Sequence, residues 1–256
     1  MNDDIAERLR IAQEDRVPIL PFATELGIDD IDTAYAIQNH GIASRTANGR
    51  KVIGRKIGLT SIAAQTQLGF DQPIHGPLFA DGEILNGGAI EAESLIAPIL
   101  EGEIALVLDR DIDDPNVSIE EFSNAIKYVL PAIEIADSRI KNWEISLFDL
   151  IADDSAAARY LLGTDPQQLS NIDLSACQME LNQNGKTLSS GLGENCMGSP
   201  LNAGHWLGGY LIEQGGALRA GDILLTGALG PIVPAYTGDQ IECTITGFGP
   251  LSVEFV

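Results

Sequence analysis

Three glutamates stand where a carboxylate is costly. Leu100-Glu101-Gly102-Glu103-Ile104-Ala105-Leu106-Val107-Leu108 reads as an apolar strand with two acids near its start. A strand sends alternate side chains to opposite faces, so Glu101 and Glu103 share one face, roughly 6.5–7 Å apart along the chain. Glu134 lies inside a second apolar run, Pro131-Ala132-Ile133-Glu134-Ile135. A charge in that setting is unfavourable unless something pairs with it. Three carboxylates converging on one point repel each other, and a hard divalent cation with oxygen ligands removes the repulsion. Mg²⁺ or Mn²⁺ suits an all-oxygen shell, whereas Zn²⁺ calls for His or Cys. The same residues admit a second arrangement, with Glu101 and Glu103 as exposed strand-end charges and Glu134 paired to Arg139. Spacing alone leaves the two open.

The elements that must position these acids fall into two parts. Residues 1–51 read as a helical N-terminal region. Ile5, Leu9 and Ala12 form one apolar stripe, Pro18, Pro21 and Gly27 interrupt it, and Asp32 caps a second helix ending near Asn48-Gly49. Residues 52–256 read as a catalytic β-rich domain of short apolar runs cut by Gly, Pro and Asp. Strands are expected over 52–59, 103–108, 131–136, 159–162, 176–181, 222–226, 240–245 and 251–256. Three helices interrupt them. One follows Ser61 and stops at Gly69. One follows the Ser118/Glu121 capping box and carries Phe122, Ala125, Ile126 and Val129. One follows Ser199-Pro200 and carries Trp206, Leu207 and Tyr210. The fold class is α+β.

Composition narrows the partners. With 37 acidic against 15 basic residues, the formal charge is −22. Such a surface repels nucleic acid and anionic membranes. Cys177, Cys196 and Cys243 show no CxxC spacing, and three cannot close a disulfide set, which fits a reducing cytoplasm. The N-terminal MNDDIAERLR has no apolar core to serve as a signal peptide, and no run approaches a membrane span.

Seven segments in order carry a resemblance. They are Gly54-Arg55-Lys56-Ile57-Gly58-Leu59-Thr60-Ser61, Gly76-Pro77-Leu78-Phe79-Ala80-Asp81, Glu101-Gly102-Glu103-Ile104-Ala105 and Pro131-Ala132-Ile133-Glu134 with Asp137-Ser138-Arg139-Ile140. After these come Ile151-Ala152-Asp153-Asp154-Ser155-Ala156, Ser199-Pro200-Leu201-Asn202-Ala203 and the run from Gly221 to Leu229. Over roughly residues 30–256 the chain resembles the fumarylacetoacetate hydrolase superfamily, on the branch of 2-keto-4-pentenoate hydratases and 4-oxalocrotonate decarboxylases. The resemblance implies a mixed β-sheet roll of the fumarylacetoacetate hydrolase C-terminal type, assembled as homo-oligomers. It implies a divalent metal on Glu101, Glu103 and Glu134, and a place for Lys56 in proton transfer or substrate anchoring. Ser155 and Thr226 become substrate contacts by position. The implied activity is hydration of a 2-hydroxy-2,4-dienoate in aromatic catabolism, with a downstream aldolase or decarboxylase as partner.

The substrate would be a small anionic 2-oxo or 2-hydroxy acid, so a metal with Arg55 or Lys56 must reverse the local sign of an acidic protein. The hydratases usually carry an acid just before the Gly-x-Leu-Phe segment, where this chain has Ile74 followed by His75. His75 is therefore the candidate base, with Asp71 and Asp81 as competitors. Two further readings stay open: decarboxylation of a 2-oxo-enoate, and a scaffold subunit without activity. Residues 61–75 hold no His-x-x-Glu pair, which ranks a carbon–carbon hydrolase lower.

Overall fold

The computed structural model describes residues 2–256. Three helices lead: α1 (Asn2–Asp15), α2 (Ala23–Leu26) and α3 (Ile31–Ala47). Asp30, two residues earlier than the expected Asp32, caps α3 by accepting from the Thr33 N–H. Ile5, Leu9, Phe22, Ile28 and Ile37 knit these helices together and pack on Ile140 and Ala152 of the main body.

The body contains β1 (Val52–Gly58), α4 (Ile62–Leu68), β2 (Ile74–Phe79), β3 (Glu83–Ile84), β4 (Gly88–Ile90), β5 (Ile99–Leu108), α5 (Ile119–Asn124), β6 (Ile126–Ala136), α6 (Leu147–Ala152), β7 (Ala157–Leu162), β8 (Gln178–Gln183), β9 (Lys186–Leu192), α7 (Pro200–Glu213), β10 (Ile223–Leu225), β11 (Val233–Pro234), β12 (Gln240–Ile245) and β13 (Leu251–Phe255). One mixed sheet runs β2-β1-β10-β5-β6-β7-β3, with β11 added to β5, and a second runs β4-β13-β12-β8-β9. The main core fills the space between the sheets and α5 and α7, and includes Ile57, Ile104, Leu106, Val129, Ile133, Leu161 and Leu224 from one face of the large sheet. Its other face carries Leu78, Ala105, Val107, Leu130, Ala132, Tyr160 and Leu225. β5 and β6 are thus covered on both faces, which is why they read as unbroken apolar runs.

The structure departs from expectation at α5. The capping box forms as read, but the helix stops at Asn124, and Ile126 and Val129 belong to β6. The β-branched run finds more burial beside β5 than a longer helix would give it. α2, α6 and the strands β2, β3, β4, β9 and β11 were not expected. Among the described residues, no helix is long and apolar enough to cross a membrane.

Candidate active site

Register alone collects the site. Lys56 pairs with Leu225, and Leu225 with Ala105, so all three face the same way. Alternation along β5 adds Glu103 and Glu101 to that face, and Glu134 of β6 lies directly opposite Glu101. The carboxylate oxygens of Glu101, Glu103 and Glu134 lie within 4.8 Å of one another. Glu103 and Glu134 are fully enclosed, and Glu101 is half-buried at the mouth.

Few partners quiet this charge. Glu103 Oε2 accepts from the Gly227 N–H at 2.8 Å, and its Oε1 has no hydrogen-bond partner. Lys56 Nζ sits 3.0 Å from Glu134 Oε1, an ion pair without hydrogen-bond alignment, and Glu134 Oε2 has no partner at all. Burial, with Glu101 adding repulsion, pushes Glu134 up to about 7 despite the nearby Lys56 ammonium. Burial and then Glu134 and Glu101 raise Glu103 well above the ordinary carboxylate range. Burial pulls Lys56 down, but the three carboxylates overcome it and hold the ammonium above its usual range. Orphaned buried oxygens on Glu103 and Glu134, converging with a Glu101 oxygen, fit a divalent cation, whose bonds of about 2.0–2.6 Å need oxygens this close. The alternative pairing of Glu134 with Arg139 is absent, because Arg139 is committed to Asp153 and Asp154.

That second network positions Lys56. Asp154, Ser155 and Ala156 all adopt positive φ (56°, 53° and 59°), a left-handed run that L residues enter at a cost. Arg139 and Arg45 grip Asp154 from two sides, and Asp153 accepts from Ser138 Oγ and the Arg139 N–H. The turn lies so close on β2 that a Cβ at Gly76 would stand 1.9 Å from the Asp154 carbonyl. Held there, the Ser155 carbonyl accepts from Lys56 Nζ at 3.1 Å, and Ser155 Oγ donates to the His75 carbonyl at 2.7 Å. Ser155 is therefore at the site, with its hydroxyl already engaged. The Asp153-Asp154 doublet in an apolar run was the available signal for this network.

Three expected site residues do not join the cluster. His75 lies opposite Ile57, and Arg55 alternates with Lys56, so both point to the other face of the sheet. The His75 ring stacks on Tyr35 at 4.6 Å and meets the edge of Tyr210; burial, then Arg55, lowers it to about 3. The expected role of His75 as the water-activating base does not fit: the ring faces away from the carboxylates, and its basicity is far below that of an ordinary histidine. Burial likewise lowers Arg55, whose Nη1 donates to the Gly54 carbonyl. Thr226 Oγ1 donates to the Ile104 carbonyl at 2.7 Å and has no exposed surface, so it braces the strand end rather than meeting a ligand. Of the competitors, Asp81 is held by Arg50 and Asp71 is exposed. Ile74, opposite Gly58, is the residue of that loop that faces Lys56.

A family description, fumarylacetoacetate (FAA) hydrolase C-terminal, matches residues 83–256. The chain belongs to that family. Within the FAA hydrolase family it is 44% identical over 250 residues to 2-keto-4-pentenoate hydratase 1 of Dechloromonas aromatica, covering 98% of this chain and 95% of the relative. It is 37% identical over 251 residues to 2-hydroxyhexa-2,4-dienoate hydratase of Comamonas testosteroni, covering 97% and 94%. Among solved structures it is similar to 4-oxalocrotonate decarboxylase from Pseudomonas putida G7, complexed with magnesium and adipate. That match has a TM-score of 0.97 at 29% identity and covers 100% of this chain and 97% of the other.

Proposed function

We propose that this chain is a divalent-metal-dependent hydratase that adds water to 2-hydroxy-2,4-dienoates of the 2-keto-4-pentenoate type, giving 4-hydroxy-2-oxo acids. The observation that carries the reading is a buried lysine amine 3.0 Å from one of three converging carboxylates. It stands in a chain that shares 44% identity with a named hydratase over 98% of its length. Glu101, Glu103 and Glu134 are the ligands of Mg²⁺ or Mn²⁺ in this reading, because the donor set is all oxygen. A divalent cation held there would supply Lewis acidity, stabilising negative charge that develops on the substrate's C2 oxygen.

The chain's own residues do the rest. Lys56 Nζ, anchored by the Ser155 carbonyl and Glu134, delivers a proton to C5 as the C2 hydroxyl gives up its own. The product of that step is a 2-oxo-3-enoate. Water then bonds through oxygen to C4, and its proton goes to C3. Gly227 holds Glu103 by its N–H throughout, and the Arg139–Asp153–Asp154 network keeps the Ser155 carbonyl in place. A cytoplasmic homo-oligomer that passes its product to an aldolase in aromatic catabolism is the setting this reading implies.

The likeness to the decarboxylase at TM-score 0.97 favours a second reading, loss of CO₂ from a 2-oxo-enoate diacid. Incubation with 2-hydroxypenta-2,4-dienoate and, separately, 4-oxalocrotonate, each with Mg²⁺, separates them. Decay of the dienol absorbance without CO₂ supports the hydratase, and CO₂ from 4-oxalocrotonate supports the decarboxylase. Inertness toward both leaves the scaffold reading.

A further inference from the structure

Beside Lys56 the backbone leaves room for one further carbon. Gly58 has no side chain, and the point where its Cβ would stand is 3.6 Å from Lys56 Nζ, 3.4 Å from Ile74 Cγ1 and 3.8 Å from Ile74 Cδ1. A carbon atom placed there touches the lysine amine and the isoleucine at ordinary van der Waals distance. Ile74 is itself buried, and behind it lie Ala136, Leu147, Ile151 and Ala156, with Leu59, Leu68 and Phe70 at the rim.

No free cation backs that wall. Among the described residues, Lys56 and Arg139 are the only buried Lys or Arg side chains, and Arg139 is held by Asp153 and Asp154. Arg45, Arg50 and Arg159 do line a small cavity against Glu134 from the side of β2 and β7. Its volume of about 10 Å³ is room for one water and not for a carboxylate. Arg45 is moreover bonded twice to Asp154, and Arg50 to Asp81.

We propose that Ile74 is a specificity-determining residue, forming with the bare backbone of Gly58 an apolar recess next to Lys56. This recess accepts the far end of a 2-oxo or 2-hydroxy acid when that end is hydrocarbon, and rejects a second carboxylate. The inference deepens the hydratase reading and rests on it for the placement of the acid's head at Glu101, Glu103 and Glu134. In that placement the far carbons of the dienoate, the ones receiving a proton from Lys56, lie against Ile74. A distal carboxylate in the same place would meet no cation but Lys56, which Glu134 and the Ser155 carbonyl already engage, and would otherwise be buried against apolar side chains. Shortening Ile74 lengthens the recess by the space of its lost carbons, so a longer chain gains what a short one does not.

Binding of inert saturated analogues tests this without turnover. Titration calorimetry of the full chain with Mg²⁺ uses 2-oxopentanoate, 2-oxoheptanoate and the diacid 2-oxoadipate as probes. Wild type should bind 2-oxopentanoate roughly 100-fold or more tighter than 2-oxoadipate. Ile74→Ala should improve 2-oxoheptanoate relative to 2-oxopentanoate by about 10-fold or more, with Ile74→Val between. The valine variant also carries the test if the alanine variant fails to fold. Equal binding of monoacid and diacid, a chain-length preference indifferent to both variants, or no binding of any probe overturns the proposal. A protein that hydrates no dienoate yet shows the Ile74-dependent preference refutes the hydratase reading and upholds this one. A working hydratase whose preference ignores Ile74 does the reverse.

Discussion

His75 offers a direct test of the site's geometry, because it was the sequence's candidate base and the fold turns it away. Its ring is stacked on Tyr35 with Nδ1 unpartnered, and it is lowered from 6.5 to about 3 by burial and then Arg55. The linkage sign follows from which state takes the proton. Above pH 6.5 the group is neutral folded and unfolded, and contributes nothing. Below 6.5 the unfolded chain gains a proton that the folded one refuses until about pH 3, so stability falls with pH at 1.36 kcal/mol per unit. At pH 4.5 the loss is about 2–3 kcal/mol, rising toward about 4–5 kcal/mol near pH 3. His75→Phe keeps an aromatic ring against Tyr35 and removes the titration. Urea unfolding of both proteins from pH 8 to 4.5, at one concentration, gives the difference directly, since every other acid-sensitive group is common to both. The variant should gain on wild type steadily as pH drops below 6.5. Its pH profile of kcat/KM on the dienoate should match wild type. A constant gap in stability across that range, or loss of a kinetic ionisation near 6–7, would refute the placement of His75 on the far face.

What could be read from the residues was whatever depended on local pattern. The alternation of β5 put Glu101 and Glu103 on one face, and the buried acid in β6 was recognisable as Glu134 because nothing around it in sequence was polar. The caps at Ser61, Ser118 and Ser199 form as their neighbours dictate. Two missed elements carried local signals. Asn184-Gly185 is a two-residue hairpin turn with both φ positive, joining β8 to β9, and Ser146 with Asp149 is a second capping box, starting α6. What the sequence could not disclose was long-range register. Whether Ile74 or His75 faces Lys56 depends on which residue of β2 pairs with Gly58, and one step of slip exchanges them. The same holds for Arg55 against Lys56, neighbours in sequence that a strand sends to opposite faces. The role of Arg139 needed the turn at 153–156 to return beside it, a contact no spacing rule contains.

Other substitutions probe the cluster itself. Lys56→Met should lower kcat by roughly 10²–10⁴ while Mg²⁺ still raises Tm; a kcat near wild type with a raised KM would make the lysine a binding group only. Gly227→Ala faces a φ of +108° and a Cβ only 2.4 Å from Thr60 Oγ1, so it should cost about 2–4 kcal/mol and weaken metal binding by displacing the N–H on Glu103. Adding Thr60→Ala should recover part of both, and no recovery would place the damage elsewhere. Metal binding should also release protons. Three carboxylates and one ammonium leave the metal-free cluster with two negative charges when all are ionised, with Glu103 and Glu134 enclosed by protein. Burial therefore keeps Glu134 partly protonated near pH 7, and burial with the neighbouring carboxylates raises Glu103 as well. A divalent cation balances those two charges and needs the carboxylates ionised, so it must expel the protons. Mg²⁺ affinity should accordingly rise from pH 6 to 8. The calorimetric heat at pH 7 should differ between buffers of low and high ionisation enthalpy by an amount that counts the protons. The share of metal-free stability that comes from Glu134 should fall as pH rises from about 4.5 through 7, opposite in sign to that of His75, because the folded state holds a proton there that the unfolded chain has given up; Glu134→Gln should remove this slope. Identical heats in the two buffers would mean that the carboxylates are already ionised before the metal arrives, with Lys56 alone balancing them.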